Sequence, residues 1–413
     1  MTERPRVVIA GAGPAGLFAA GLLAEAGASV TVYDRMASPA RKFLLAGRGG
    51  LNLTHSEPRE AFLSRYPDLP GQVRAAIEAF PPSALRDFAA SLGQPTFVGS
   101  SGRVFPEAFK ASPMLRAWLA RLGGFGVTLH SQHRFVGFAE NGRLHFEGPE
   151  GPVAPPHDAA LLALGGASWP RMGSDGAWTS ILASAGIPVR PLVASNTGID
   201  MAWSAGFAER FAGTPLKAIT LAIGDKRVRG EAMVTATGLE GGAIYALSAA
   251  LREAVAKGMA SLAVDLKPDL AAADLASRLS RARAGDSLSN VLKKQGGLAP
   301  VAVGMLREGW GASLPREPEA LAAAIKGLVL PVAGMRPLDR AISSAGGIDR
   351  AAVSEAFEIV GHPSLFAAGE MLDWDAPTGG YLLQATFATA AAAARGMAAR
   401  LGLKLPAASA PAW

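Results

Sequence analysis

Three glycines and one acid carry the first recognisable chemistry in this chain. Gly11, Gly13 and Gly16 stand in the spacing G-x-G-x-x-G, and Asp34 follows 18 residues after the last of them. Glycine at the first position permits a tight turn out of a strand. At the second it lets a pyrophosphate approach the backbone, and at the third it lets a helix pack closely on a sheet. A carboxylate about 20 residues further on is placed to accept hydrogen bonds from a ribose. Pro14 and Ala15 lie between the second and third glycines, and Pro14 suits a first helical turn, where its missing N–H is not needed.

The elements needed to position these residues are all legible. Val7–Ala10 is a short apolar run with the character of a buried strand. A helix is predicted from Pro14 to about Ala26, stopping at Gly27, and a second strand from Ser29 to Tyr33 ends at Asp34. The helix start offers free N–H groups and partial positive charge to a phosphate. Strand, turn, helix, strand and terminal acid in that order make a dinucleotide-binding unit, whereas an isolated G-x-G-x-x-G would be weak.

Composition bounds the remainder. A chain of 413 residues suggests two or three domains. Hydrophobic residues at 49% and charged residues at 18% describe an ordinary globular protein without a disorder signature. Cysteine is absent, which excludes disulfides, thiolate metal sites and redox-active cysteine pairs; any electrons must be carried by another group. The absence fits a cytoplasmic location, and no targeting or membrane-spanning segment is expected. The net charge of +6 is dispersed, with no run of five like charges.

Arg35 to Glu57 is glycine-rich and contains Lys42, Gly47, Arg48, Asn52 and Thr54. Such a loop after a βαβ unit commonly runs along the nucleotide, its cations meeting phosphate; a solvated surface loop is the alternative. Residues 58–95 read as mostly helical, and Phe97–Pro113 as strand, turn and strand, with Arg103 and Lys110 facing either an anion or solvent. A helix is predicted for Met114–Leu122. Val127–His130, Phe135–Phe138 and Leu144–Glu147 alternate like antiparallel strands. His130, His133, His145 and His157 fall in this region, and strand-surface positions suit them better than a metal site.

Ala159–Ala167 reads as a second buried strand ending at Gly165-Gly166, and Trp169–Gly176 as the opening of a helix through about Ala185. It lacks the spacing of a second nucleotide unit. Residues 191–335 change character and read as an inserted module, β-rich over 191–265 with a hairpin at Gly224-Asp225, and helical over 266–335. Near the end, Ser364–Gly369 is an apolar strand delivering Gly369 and Glu370; Asp373 follows. Thr378, Gly379 and Gly380 then open a final helix at Tyr381. A helix start aimed at a flavin would stabilise negative charge on its reduced ring.

Four long stretches carry a family resemblance. They are R-K-F-L-L-A-G-R-G-G-L-N-L-T-H-S-E, G-R-V-F-P-E-A-F-K-A-S, L-G-G-A-S-W-P-R-M-G-S-D-G and A-G-E-M-L-D-W-D-A-P-T-G-G-Y-L-L-Q-A. In this order they resemble the BaiN/YhiN-like flavoproteins, a family of NAD(P)/FAD-dependent oxidoreductases, over nearly the whole chain. Many members carry Arg-Cys-Asn where this chain has Arg48-Gly49-Gly50-Leu51-Asn52, so it resembles a cysteine-free branch. The resemblance implies an α/β fold, a Rossmann-type FAD-binding domain (1–190 and 336–413) split around an insert with a β-barrel-like part and a helical part.

FAD is then expected along Gly11–Gly16 with Asp34 on its ribose, flanked by the Arg41–Thr54 loop and by Gly369–Gly380. A small-molecule substrate is expected between the FAD domain and the insert. No side chain stands out as a general acid or base. No second G-x-G-x-x-G exists, so NADH or NADPH, if used, would have to enter transiently, held by cations such as Lys42, Arg48 or Lys110. Two other readings stay open: a flavin-containing RNA-binding or RNA-modifying protein using Arg278, Arg281, Arg283, Lys293 and Lys294, and a protein whose FAD is structural.

Overall fold

The computed structural model describes residues 3–45, 50–258, 260–283, 285–406 and 413. They fall into two compact units, one formed by the chain up to Val193 together with Ile342 onward, the other by Ala194–Ala341.

The first unit is built on a parallel sheet. Strand β1 (Arg6–Ala10) pairs with β2 (Ser29–Tyr33) on one side and with Ala159–Leu162 on the other, Ile9 standing opposite both Val32 and Leu161. Leu365–Ala367 extends the sheet beyond Ala159–Leu162. Val7–Ala10 of β1 and Ala159–Leu162, buried on both faces, are uninterrupted runs of Val, Ile, Leu and Ala. Helix α1 (Pro14–Glu25) connects β1 to β2, and Phe18 on it meets the rings of Phe80, Phe88 and Phe387 at 5.2, 4.9 and 5.0 Å. Burying such a ring is worth roughly 1.5–3 kcal/mol, and this cluster fixes α1 against the final helix, Tyr381–Arg400.

Two sequence expectations change here. Thr128–His130 is not antiparallel to the strands after it: it joins the main sheet beside β2, with Thr31 opposite Thr128. The strands Arg134–Phe138, Leu144–Gly148 and Gly151–Val153 form their own antiparallel sheet. Alternation alone does not name a pairing partner. The preceding helix, Ala111–Gly124, supplies the crossover that a parallel strand requires. The second change concerns Trp169–Ala185. Only a short 3-10 turn, Pro170–Met172, forms early, and the α-helix begins at Trp178. Gly173 and Gly176, at φ +101° and +69°, hold the chain out of the right-handed helical region until then.

In the second unit, Pro215–Ile223 and Lys226–Thr235 make one long hairpin turning at Gly224-Asp225. It lies in a seven-stranded antiparallel sheet. The outer strands of that sheet, Leu328–Pro331 and Gly334–Met335, are separated in sequence only by Val332 and Ala333. One pairs with Ser261–Asp265, the other with Ile199–Asp200, so the sheet must curl until its edges approach, which is the barrel-like geometry. Helices Ala272–Leu279, Leu288–Lys294, Pro300–Trp310 and Pro318–Lys326 form the helical part, with Leu275, Leu292, Met305 and Leu321 fully buried. Among the described residues no helix is long and apolar enough to cross a membrane.

Candidate functional site

Because the main strands are parallel, their carboxyl ends share one edge of the sheet, and three glycine-bearing turns meet there. In the first, Gly11 takes φ +105° and its N–H donates to Tyr33 O at 2.7 Å. A Cβ on Gly11 would lie 2.3 Å from Ala163 O, and one on Gly16 would lie 1.9 Å from Gly11 O. These two positions are closed by backbone. Gly13 differs, because nothing lies within 4 Å of where its Cβ would be. Gly13 is also the N-cap of α1, and among the described residues no side chain caps that helix start, which leaves its first N–H groups without an intrahelical partner.

The second turn follows Leu162. Gly165 (φ +71°) lies against Ser174, and its carbonyl accepts Trp178 Nε1–H at 2.9 Å. The third turn begins at Gly369 (φ +84°), where a Cβ would come within 3.0 Å of Ala15 Cβ. The end of the chain is thereby brought onto the first turn of α1.

Asp34 bridges the first turn. Its Oδ2 accepts the N–H of Ala12 at 2.7 Å and its Oδ1 that of Met36 at 2.8 Å. Burial pushes this carboxyl up from its ordinary pKa, against those two hydrogen bonds and the charge of Arg35. Each oxygen keeps a further lone pair for a hydroxyl. Arg35 itself is engaged elsewhere, with Asp175 and with Pro170 O, and ties the Trp169–Gly176 loop to the end of β2.

Lys42 and Glu370, 328 residues apart, form the most enclosed ion pair at this edge. Lys42 Nζ donates to Glu370 Oε2 at 2.7 Å and Oε1 at 3.1 Å, and to Ser168 Oγ at 2.6 Å. Glu370 Oε1 also accepts the N–H of Ser344 at 3.0 Å. Ser344 Oγ in turn accepts the Ala167 N–H at 3.1 Å, and a Cβ on Gly166 would collide with that hydroxyl. Sequence reasoning placed Lys42 and Glu370 near the nucleotide but missed Ser168 and Ser344. The available signal was the run Ser343-Ser344-Ala345-Gly346-Gly347, whose two glycines both adopt positive φ.

The Asn52–Glu57 segment lies against the start of the final helix. A Cβ on Gly380 would fall 2.5–2.7 Å from backbone atoms of Thr54. Gly379 and Gly380, after Thr378, take φ +125° and +96°. Tyr381 donates its hydroxyl to Glu57 Oε2 at 2.8 Å, and its carbonyl accepts the Tyr66 hydroxyl at 2.8 Å. Arg65 holds Glu57 from the other side and, chiefly by that hydrogen bond, keeps the carboxyl below the usual range. Burial, then the bond to Glu57, pushes the Tyr381 phenol well up. His55 stacks on Tyr381, its Nδ1 accepting the Glu57 N–H at 3.2 Å and its Nε2 facing Ser101 O at 3.0 Å. That pattern suits the Nε2–H tautomer, and burial lowers the imidazole pKa from its ordinary value.

Asn52 Oδ1 and Thr54 Oγ1 are buried with no hydrogen-bond partner among the described residues, as is Ser174 Oγ beside Gly165. Unpaired buried acceptors are costly and call for a ligand or water. With the open face at Gly13 and the uncapped start of α1, they suit a long, phosphate-bearing dinucleotide such as FAD. Asp373, also expected to bind nucleotide, has its Oδ2 3.1 Å from Arg190 and 3.5 Å from Arg350, and that buried oxygen likewise makes no hydrogen bond among the described residues. Gly47 and Arg48 lie outside the described residues. His130 and His133 pack on the ring of Tyr33 at 4.9 and 5.3 Å.

Comparison with known proteins bears on the family and the fold. The sequence profile of a family described as HI0933-like protein Rossmann domain matches residues 5–396. The 3-dehydro-bile acid delta(4,6)-reductase of Clostridium scindens is 26% identical over 414 residues, covering 96% of this chain and 99% of the relative. The ribosomal RNA dihydrouridine synthase of Haemophilus influenzae is 27% identical over 252 residues, covering 60% and 62%. The solved 3-ketosteroid delta1-dehydrogenase from Sterolibacterium denitrificans, in complex with 1,4-androstadiene-3,17-dione, shares the fold with a TM-score of 0.52 at 12% identity, over 96% of this chain and all of that one.

Proposed function

This chain belongs to the HI0933-like Rossmann-domain family, and on that premise we propose that it is an FAD-dependent oxidoreductase that reduces a carbon–carbon double bond conjugated to a carbonyl. The observation that carries the cofactor is the open approach at Gly13, framed by the closed positions Gly11 and Gly16. The substrate class draws on the two curated relatives. One is named for reducing double bonds of a 3-dehydro, that is 3-oxo, bile acid, the other for making uridine that has gained two hydrogens. In this reading the double bond gains a hydride at the carbon remote from the carbonyl and a proton at the nearer one.

When bound, FAD supplies the hydride. The chain's residues bind and orient it. Backbone N–H groups at the start of α1 meet the pyrophosphate, and Asp34 accepts the ribose hydroxyls. Asn52 and Thr54 offer their unpaired oxygens, and the start of the final helix, fixed by the Tyr381–Glu57 bond, presents partial positive charge. Lys42 and Glu370 hold three loops in register around them.

Asp34→Ala is expected to weaken FAD binding by roughly 1–3 kcal/mol, the worth of a charge-assisted hydrogen bond. The variant also loses the anchor on the Ala12 N–H, so Asp34→Asn, which keeps one acceptor, should lose less. Fluorescence titration of the apoprotein reads both; equal affinity in all three proteins removes Asp34 from the site.

The reaction class is tested by anaerobic stopped-flow on the flavin absorbance. NADH or NADPH is expected to reduce the flavin slowly and to saturate only at high concentration, since no second Rossmann-type fingerprint exists to hold its pyrophosphate. Lys42 is already engaged with Glu370 and Ser168, which leaves the exposed Lys110, and Arg48, as cations for the donor. Reoxidation by a conjugated enone, and not by its saturated ketone, completes the expected result. A flavin that no enone reoxidises refutes the proposal and favours structural FAD.

A second reading keeps the chemistry and changes the substrate to a uracil ring in RNA. It draws on the dihydrouridine relative and on Arg278, Arg281, Arg283, Lys293 and Lys294, none of which forms a side-chain ion pair among the described residues. Steeply salt-dependent RNA binding and reoxidation by uridine-containing RNA would select it.

A further inference from the structure

We propose that the helical part of the second unit carries a phosphate-binding pocket, independent of the redox site, with Arg307 and Arg316 as its charged contacts. Helix Pro300–Trp310 ends at Gly311, whose φ of +55° turns the chain sharply into a 3-10 turn, Gly311–Ser313. Leu314 is then buried, and the strap runs on through Arg316. Helix Leu288–Lys294 packs beside that helix, with Ser287 as its N-cap. A cavity of about 520 Å³ opens between them, lined by Ser287, Leu288 and Ser289 on one side and by Arg307, Leu314 and Arg316 on the other.

The lining contains two guanidinium groups and two hydroxyls but no carboxylate. Arg307 donates to Ser289 Oγ, which orients it along the wall, and neither arginine has an ion-pair partner among the described residues. Two neighbouring acids turn to other partners: Asp286 Oδ2 accepts the Arg283 N–H at 3.0 Å, and Glu308 accepts both the N–H and the hydroxyl of Ser204 at 2.7 Å. Neither guanidinium therefore has a counter-charge within the lining itself. Planar guanidinium forks present paired N–H donors at the spacing of phosphate oxygens, and serine hydroxyls complete such a set. The volume exceeds that of a bare phosphate and lies in the range of small-molecule sites, with Leu288 and Leu314 offering apolar contact to the remainder of the ligand. The geometry thus points to a phosphate ester of about nucleotide size.

The test uses the flavin-loaded full chain and three probes, UMP, uridine and inorganic phosphate, titrated by calorimetry. UMP lacks adenine and does not imitate the adenosine half of FAD, and uridine together with the Arg307 and Arg316 variants separates binding here from binding of the uracil ring at the flavin. UMP is expected to bind and uridine not to bind. Arg307→Ala and Arg316→Ala should each weaken UMP binding about tenfold or more, the loss of one charge-assisted contact. Added salt should weaken it further, while the flavin spectrum and its reduction stay unchanged. Inorganic phosphate binding as tightly as UMP, and lost in the same variants, supports the anion contact and identifies free phosphate as the ligand. Both arginines are exposed, so the variants should fold, with circular dichroism as the check. Failure of both phosphate probes to bind, or binding unchanged in both variants, overturns the proposal. Neither outcome bears on whether the flavin reduces an enone.

Discussion

Gly13→Ala is expected to yield a folded protein that no longer retains FAD. The backbone of Gly13, at φ −80°, is one that alanine adopts readily, and its Cβ would enter open space. The fold therefore has little reason to object; the N-cap exchange itself costs under about 1 kcal/mol. The methyl group would instead stand where the pyrophosphate must approach the start of α1. Affinity for FAD should fall by about two orders of magnitude, roughly 3 kcal/mol. Gly11→Ala and Gly16→Ala are the contrasting variants. Their Cβ atoms would press on backbone carbonyls at 2.3 and 1.9 Å, and Gly11 would also hold alanine at φ +105°. Both should lose stability by several kcal/mol, whether or not cofactor is present, through overpacking and strain. Thermal melts and absorbance of the purified proteins separate the two effects. A yellow Gly13→Ala protein with parental FAD affinity would falsify the placement of the pyrophosphate.

Glu370→Ala is expected to destabilise the protein by about 2–3 kcal/mol, below the ~3–5 kcal/mol of a fully buried pair because Lys42 retains some solvent access. The variant leaves the Lys42 ammonium with Ser168 alone and deprives the Ser344 N–H of its acceptor. Lys42→Met should cost a similar amount. The double variant Lys42→Met/Glu370→Leu should cost clearly less than the sum, with a coupling of about 1–3 kcal/mol, because it removes both charges together. Thermal midpoints of the four proteins, measured as apoprotein, give the cycle. Single variants within about 0.5 kcal/mol of the parent would mean a solvated pair of no structural consequence. The apoprotein measurement matters: it distinguishes a latch between chain segments from a contact made only to cofactor.

The glycine turn after β1 was legible in the amino-acid order, because each requirement of its backbone is met by a residue a few positions away. Gly11 takes a positive φ, Gly16 packs against the Gly11 carbonyl, and the strand β2 ends beside its acid, Asp34. The hairpin at Gly224-Asp225 was readable for the same reason, its strands being adjacent in the chain. Family membership and the split Rossmann architecture follow from long contiguous motifs and were likewise in reach.

What the order of residues could not decide was partner choice over long separations. Lys42, with many acids in the chain to pair with, was settled on Glu370 only when parallel pairing of β1 with Ala159–Leu162, and of that strand with Leu365–Ala367, brought three turns to one edge. The same packing set Arg35 against Asp175 and Asp373 beside Arg190 and Arg350, partners that nothing in their local spacing names. It likewise drew Thr128–His130 into the main sheet. Local turn chemistry is written in neighbouring residues, whereas an ion pair or a strand pairing is one choice among many of similar intrinsic energy. Only the assembled core, by fixing which segments meet, removes the alternatives.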